Sequence, residues 1–565
     1  MSLKMDLRVT PFSRFGSYFS FSYPTWRAKT SHRLCLLSHH GGGMLRRDLF
    51  RIDVLKGRRK VAFEVDATPT RLRLRVKDTG ELTFCIATAE TVRFRGTGLS
   101  LQLTMPTGPA VVAHPSPGER WTANARYNLR RYMLEASQGR LEGDAPWKGT
   151  QCERLVFTFH PDAKGVLEGA IDEFESTWVR PRRVPFKTCL REIEAEWEDW
   201  LTRSPAVPKT LAKAAEHAAY ISASAVVRPG GLLKRPAMLM SKRHMDQVWS
   251  WDHCFNALAL AKGHPDLAWD QFMLPFDHQD VHGALPDSVN DLVMHFNFSK
   301  PPVHGWTLRR LWRSNPALVT RERLDEVYNV LVRWTEWWLT ARTWPEDTLP
   351  HYLHGNDSGW DNSTIFDGGT PLVAPDLAAF LVLQTEELAD LAETLGKPAE
   401  AEQWRGRSKR LLEALLAKLW RTDRFVAVRQ PSGEAIDTQS LILCLPIVLG
   451  KRLPAEVRGA LIKRIGTFVT KFGLATEHPD SPHYLPDGYW RGPIWAPSTM
   501  LIVDGLVQSD EKALAERIAQ RFCRMCAKSG FAENFDALTG EALRDRAYTW
   551  TSSVFLLLAS ELLRK

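Results

Sequence analysis

The sequence predicts a chain of two folds, an N-terminal antiparallel β-sandwich followed by an all-α toroid, and three observations carry that expectation. Apolar residues recur with period two from about Leu45 to Phe174 and with helical period from Ile193 almost to the C-terminus. At 565 residues the chain exceeds what a single core usually serves. Between the two patterns, Trp178 to Lys187 gathers Pro181 and Pro185 among basic residues. The expected division is residues 1–180 for the sandwich, 181–207 for a linker with a helix, and 208–565 for the helical domain.

The first half alternates in short runs: Lys60-Val61-Ala62-Phe63-Glu64-Val65, Arg71-Leu72-Arg73-Leu74-Arg75-Val76 and Leu99-Ser100-Leu101-Gln102-Leu103. Leu82 to Ile86 and Leu155 to Phe159 continue the pattern, with Gly and Pro as punctuation, which argues many antiparallel strands in a sandwich. In the second half, Ile193, Trp197, Trp200 and Leu201 mark a first helix, and Leu324, Val327, Leu331, Trp334 and Trp338 a later one. Leu377, Leu381, Leu388, Leu391 and Leu395 share a face that Gly396 and Pro398 terminate; Trp404, Leu411, Leu415 and Leu419 line the next helix. Helices recur in pairs without a fixed sequence repeat, and a closed toroid of pairs buries their apolar faces together.

Composition excludes several classes. Forty-four per cent hydrophobic residues describe a globular protein, and no apolar run reaches the roughly 18 to 20 residues of a membrane helix. Met1 to Tyr23 lacks the apolar stretch of a secretory signal, so a soluble, cytoplasmic protein with no membrane partner is the expectation. The eight cysteines are scattered singly except Cys523 and Cys526, whose CxxC lies in a helical pattern without a second pair at metal-ligand spacing. The net charge of +9 is spread among 65 acids instead of forming a basic stripe, which argues against a nucleic-acid partner. Sequence does not set the oligomeric state.

Six clusters of polar and aromatic residues fall between the predicted helices: Trp249 to Phe255, Gly283 to Pro286, Lys300 to Trp306, Gly355 to Ser363, Asp487 to Trp495 and Phe531 to Gly540. Loops on a rigid scaffold are where functional groups concentrate, and at one end of a toroid these would meet in a single concave site. Within Gly359-Trp360-Asp361-Asn362-Ser363, Asp361 has an indole and amides as neighbours, a setting that raises a carboxyl toward general-acid duty. A helix N-cap is its bland alternative. Asp357 is a second acid with weaker context, suited to orienting the loop.

Glycosidic cleavage needs a second carboxylate on the opposite face of the sugar, and Glu533, between Phe531 and Phe535, is the candidate. Trp251 and Asp252 pair a stacking face with a strong acceptor, a means of gripping a pyranose and its hydroxyls, with core packing as the plain alternative. Tyr489, Trp490, Arg491 and Trp495 add two indoles and a cation that binds sugar hydroxyls or a carboxylate, or else pairs with an acid. His253, His304 and His354 lie near these loops without metal-binding spacing.

Trp251-Asp252-His253-Cys254-Phe255, Lys300-Pro301-Pro302 with Trp306, Gly359 to Ser363, Tyr489 to Trp495 and Glu533-Asn534-Phe535-Asp536 with Gly540-Glu541 occur in the order in which glycoside hydrolase family 63 carries them. Over roughly Lys209 to Leu563 the chain resembles that family, and the layout is shared with the trehalases of family 37. The resemblance implies an (α/α)6 barrel behind a β-sandwich and an inverting mechanism with Asp361 as general acid and Glu533 as general base. It places Trp251, Asp252, Trp360, Arg491 and Trp495 around the departing glycosyl unit, and Trp306, Tyr489 and Trp490 are further candidates for binding the substrate. The motif after the base departs from the family, which commonly has an aromatic directly after the acid.

The function expected is an exo-acting α-glucosidase on a small soluble carbohydrate. Alternatives are a hydrolase of mannosylglycerate or glucosylglycerate, a trehalase, and more remotely an (α/α)6 sugar epimerase or isomerase, for which paired histidines would be the natural proton carriers. A carbohydrate-binding protein without chemistry would have no reason to keep both acids. The mechanism requires no metal or organic cofactor, and the sequence leaves room for a structural calcium in an Asp-rich loop.

Overall fold

The structure is a computed structural model and describes residues 3–24, 33–45 and 47–563. Two eight-stranded antiparallel sheets occupy the N-terminal third. One runs in the order Phe12–Ser13, Phe19–Ser22, Cys35–Ser38, Asp48–Lys56, Ser100–Thr104, Val156–His160, Arg140–Asp144, with Arg59–Val61 also paired to Asp48–Lys56. The other runs Val112–Ser116, Arg120–Ala125, Arg130–Gln138, Val166–Phe174, Thr91–Thr97, Gly80–Thr88, Leu72–Val76, Glu64–Ala67. Alternate residues of each face inward: Phe94 of one sheet meets Phe159 of the other edge-on at 4.7 Å, and Phe21 lies 5.4 Å from Phe84. The period-two reading and the sandwich therefore hold.

The chain packs as two compact units whose borders differ from the expected cut at residue 180. The β unit takes Met1–Thr202, Ala219–Gln247 and Asn290–Val293; the helical unit takes Arg203–Ala218, Val248–Val289 and Met294–Lys565. Burial explains the shift. The expected linker is mostly the helix Phe186–Arg203, whose Phe186, Cys189 and Ile193 pack with Cys85. Tyr220 lies in the core of the sandwich and receives the Ser13 N–H at 2.8 Å.

In the helical unit, six segments form an inner ring in which each packs on the next: Asp252–Leu260, His304–Ser314, Pro375–Thr394, Leu441–Arg452, Ala496–Gln508 and Thr549–Glu561, the last closing on the first. Asn256 joins the closure, donating to Thr549 Oγ1 at 3.2 Å and accepting from Ser553 at 2.9 Å. Each of the first five is followed in the chain by an outer helix: Pro265–Met273, Arg321–Ala341, Pro398–Leu419, Ala455–Thr467 and Lys512–Ser529. This is an (α/α)6 toroid.

Local sequence sets the ends. Thr320 caps Arg321–Ala341 by accepting the Arg323 N–H, Pro375 opens the third inner helix, and Gly396 at φ 77° closes it before Pro398 starts its partner. Leu441–Arg452 is 3₁₀, with Pro446 in its middle and a kink at Gly450, whose φ is 55°. Cys523 and Cys526 lie on the buried face of Lys512–Ser529 as two thiols. Among the described residues no helix is long and apolar enough to cross a membrane.

Candidate active site

Asp361 sits on a loop held from behind by its own neighbours. Gly355–Ser358 forms one helical turn capped by His354, and the Asp357 carboxylate accepts the N–H groups of Ser299, Leu353 and His354 while pairing with Arg342 at 2.8 Å. All of Asp357's capacity goes into this scaffold, so it orients the loop and leaves Asp361 as the candidate acid. Gly359 is required here: its φ is 71°, and a Cβ would lie 2.5 Å from the Trp251 indole. Asp361 is not an N-cap; the next helical turn, Thr364–Phe366, has Ser363 in the cap position.

Around the Asp361 carboxyl the structure gathers donors. The Tyr489 hydroxyl bonds to it, and the Asn356 amide, with its nitrogen turned inward, reaches both oxygens at 3.2 Å. Burial holds the carboxyl above its ordinary range; Lys300 opposes this, Asp287 adds to it, and the Tyr489 hydrogen bond opposes it again. Asn362 stitches this loop to the next: its amide donates to Gly488 O at 3.0 Å and its carbonyl oxygen accepts the Trp490 N–H at 3.0 Å.

Glu533 is buried on a short extended segment. Its N–H donates to Asp545 O at 2.7 Å, and Thr551 donates to Ala532 O at 2.7 Å, so strand edge and inner helix fix it from both sides. Burial pushes its carboxyl up to about 8, with the Asp545 charge adding, the Arg544 guanidinium opposing and Asp361 adding again. The Asp361 charge is thus one of the smaller causes that raise Glu533. Two such acids can supply one donor and one acceptor to a bond between them.

Asp252, in the first turn of its helix, is buried, and its Oδ2 has no hydrogen-bond partner among the described residues. Burial raises its pKa well above the usual value, with Lys300 opposing and Asp287 adding. An acid with one idle oxygen beside Asp361 is suited to accept a ligand hydroxyl. Lys300, which the sequence reading quoted within a motif and did not assign, is the shared cation: its ammonium pairs with Asp287 at 2.8 Å and donates to Asn356 O at 2.8 Å. A lysine followed by two prolines was the signal available; its burial was not.

The aromatic candidates divide. Trp490 stacks on Trp495 at 4.1 Å and 5°, lies 4.7 Å from Trp360 and 6.4 Å from Trp251; Trp550, absent from the sequence reading, meets Trp251 and Trp495 edge-on. These indoles use their faces on one another and are 1–3 % exposed, so they form a packed wall behind the acids where free stacking platforms were expected. Trp306 is elsewhere: its N–H donates to Asp504 at 2.7 Å and Arg310 lies over its ring, which makes it a helix-packing residue. Arg491, partly exposed, donates from Nε to Asn362 O at 2.7 Å and pairs with the exposed Asp367. These bonds give it a grip on the acid loop.

Tyr489 faces the acids. It adopts φ 64°, unusual for a tyrosine, and that strain aims its hydroxyl at Asp361. Arg544, which the sequence reading missed, lies over the Tyr489 ring at 4.9 Å and pairs with Asp487 at 2.8 Å. Of the histidines, His354 is a cap and His304 is packed among Phe272, Phe276 and Trp334, burial pushing it down to about 3. Among the described residues no group of three or more His, Cys, Asp or Glu is placed to hold a metal ion.

Residues 245–551, more than half of the chain and containing every residue of this site, match the family described as mannosylglycerate hydrolase MGH1-like glycoside hydrolase domain. The chain belongs to this family of glycoside hydrolases. The enzyme is 24% identical over 401 residues to the mannosylglycerate hydrolase of Rubrobacter radiotolerans, covering 54% of this chain and 89% of the relative. It is 23% identical to the glucosylglycerate hydrolase of Mycolicibacterium hassiacum, covering 55% and 91%. In fold, this glycoside hydrolase superposes along its whole length on a bacterial glucoamylase solved with acarbose, with a TM-score of 0.64 at 10% identity and 94% of that chain covered. That likeness bears on the fold of both units.

Proposed function

We propose that this glycoside hydrolase cleaves a small glycoside whose aglycone carries a carboxylate, of the mannosylglycerate or glucosylglycerate kind, by inversion with Asp361 as general acid and Glu533 as general base. The neutral α-glucoside expected from the sequence is the weaker reading. The observation that carries the choice is Arg544: a guanidinium at the edge of the acids, over Tyr489 and next in sequence to the Asp545 whose charge acts on Glu533. A neutral aglycone has no use for it, whereas a glycerate carboxylate would exchange places with Asp487 as its partner. The names of the relatives point the same way.

In this reading Asp252 and the Lys300–Asp287 pair hold the hydroxyls of the departing sugar, Asp361 delivers its proton to the bridging oxygen, and Glu533, once ionised, takes a proton from the attacking water. The test is to incubate the enzyme with mannosylglycerate, glucosylglycerate, trehalose and a set of glucobioses and to follow the freshly released sugar by proton NMR. Initial release of the β-anomer from an α-linked glycerate substrate is the expected result. Release of the α-anomer sinks the inverting mechanism, and turnover of neutral disaccharides alone sinks the acidic aglycone.

A further inference from the structure

Between the outer helix Ala455–Thr467 and the chain that enters the fourth inner segment, the helical unit holds a cavity of about 410 Å³ that shares no lining residue with the surroundings of the acids. Its size is that of a small-molecule site. Thr438, Gln439, Arg464 and His478 line it, and the buried Phe468 ring, met edge-on by His478 at 5.3 Å, supplies an apolar side. The carboxylate in the wall, Asp437, is matched by Arg424 at 3.3 Å.

Arg464 has no such match. Its Nη2 donates to Thr438 O at 2.8 Å, and no acid among the described residues lies within ion-pair distance of it. Asp423, whose titration feels its charge, is exposed and bonded to Arg424 at 2.8 Å. The Asp480 N–H donates to His478 Nδ1 at 3.1 Å, which in the neutral ring leaves Nε2 as a donor.

The cavity is built on the chain that supports the acid loop. Ser440 pairs antiparallel with Glu477, and both side chains reach that loop: Ser440 Oγ meets Ser363 Oγ at 2.8 Å, and Glu477 accepts from Thr364 at 2.9 Å. Neighbouring residues on paired extended chains point to opposite sides. Gln439 and His478, joined by the bond from the His478 N–H to Gln439 O at 2.9 Å, accordingly line the cavity on the other side.

We propose that this cavity is a second ligand site, for a small hydroxylated anion: a carboxylate or phosphate carried on a polyol, with the charge held by Arg464 and the hydroxyls by Thr438, Gln439 and His478. A guanidinium without an acid partner offers a planar fork that fits either oxyanion. Hydroxyl, amide and imidazole are groups that both give and take hydrogen bonds, as polyol hydroxyls require. The site stands whichever glycoside the acids cleave.

The experiment is isothermal titration of the full-length protein with D-glycerate and, separately, with glycerol phosphate, neutral glycerol serving as the control. Wild type and Arg544→Gln, which lacks the guanidinium beside the acids, should both give saturable binding of an anion and none of glycerol. Adding Arg464→Gln to Arg544→Gln should weaken that binding by about 10- to 100-fold, the cost of a charged hydrogen bond to an oxyanion. Adding Gln439→Glu instead should weaken it as well, because a carboxylate of the same shape then faces the anion. Binding of glycerate alone identifies the occupant as a sugar acid, and binding of glycerol phosphate alone as a phosphorylated polyol; each supports the site. Unchanged affinity in both double variants, disappearance of all binding in Arg544→Gln, or no saturable heat from either anion at millimolar concentration would overturn the proposal. Gln439 is exposed, so its variant decides the matter even if Arg464→Gln does not fold.

Discussion

Arg491 Nε and the carbonyl oxygen of Asn362 are 2.7 Å apart, and through that bond the residue after Asp361 is anchored to the loop that carries Tyr489. With Asn362 bonded in turn to Gly488 and Trp490, the proposed general acid and the tyrosine that donates to it are held as one piece.

Arg491→Lys removes the planar fork and keeps the charge, so it tests positioning against substrate contact. We expect kcat to fall by up to about 10²-fold with little change in KM, as for a small misplacement of a reacting group. A large rise in KM with kcat intact would restore Arg491 to the substrate.

Asp361→Asn should reduce kcat by about 10²- to 10⁴-fold, the range for loss of a positioned proton donor. It should also lower the Glu533 titration, because the Asp361 charge is one of the causes that raise it. Carbon-13 NMR of glutamate-labelled protein reads that shift directly, and an unmoved Glu533 would show the two acids to be uncoupled.

Glu533→Gln should abolish turnover and stabilise the protein at alkaline pH. A carboxyl whose folded pKa is about 8 against 4.5 for the free group binds more protons folded than unfolded, so wild-type stability declines as pH rises from about 4.5 to 8. The variant lacks that slope. Thermal melts should show the variant above the wild type at about pH 9 and the gap closing toward about pH 5.

Trp306→Phe separates packing from recognition. Losing the indole N–H leaves Asp504 with Arg310 alone, at a cost of about 1 kcal/mol in unfolding free energy. Turnover should be unchanged on every substrate; a selective loss on one sugar would return Trp306 to the site.

Arg544→Gln should raise KM for a glycerate glycoside by about 10- to 100-fold, as expected when a charged hydrogen bond to a carboxylate is lost. A neutral substrate should keep its KM, while the Glu533 titration moves up for every substrate because the opposing guanidinium is gone.

What the sequence disclosed follows from which interactions are local. Period two in Leu72–Val76 and period 3.6 in Leu324–Trp338 report faces of single elements, and those were legible. Asp361, Glu533, Trp251 and Tyr489 stood out because aromatic, polar and Gly residues crowd into short loops. Lys300 did not, because its meaning comes from Asp287 and Asn356, neither of which marks it. Arg491 and Trp306 carried the right residue types for sugar, but their partners, Asp367 and Asp504, lie more than a hundred positions away. The border at residue 180 moved for a similar reason: Tyr220 reads as one more apolar helix position, and only tertiary packing puts it in the sandwich.

The ring of inner helices closes between Asn256 and the first turn of Thr549–Glu561, so the first helix of the toroid completes its packing only when the last has been made. Asp252 leaves the ribosome nearly three hundred residues before that partner, exposed on a helix meant to be buried, and must wait. Catalysis here therefore has no rudimentary form: a chain cut before Thr549 has both acids and still lacks the enclosure that makes either of them unusual. Such long-range closure predicts slow, late maturation and a dependence on protection during synthesis.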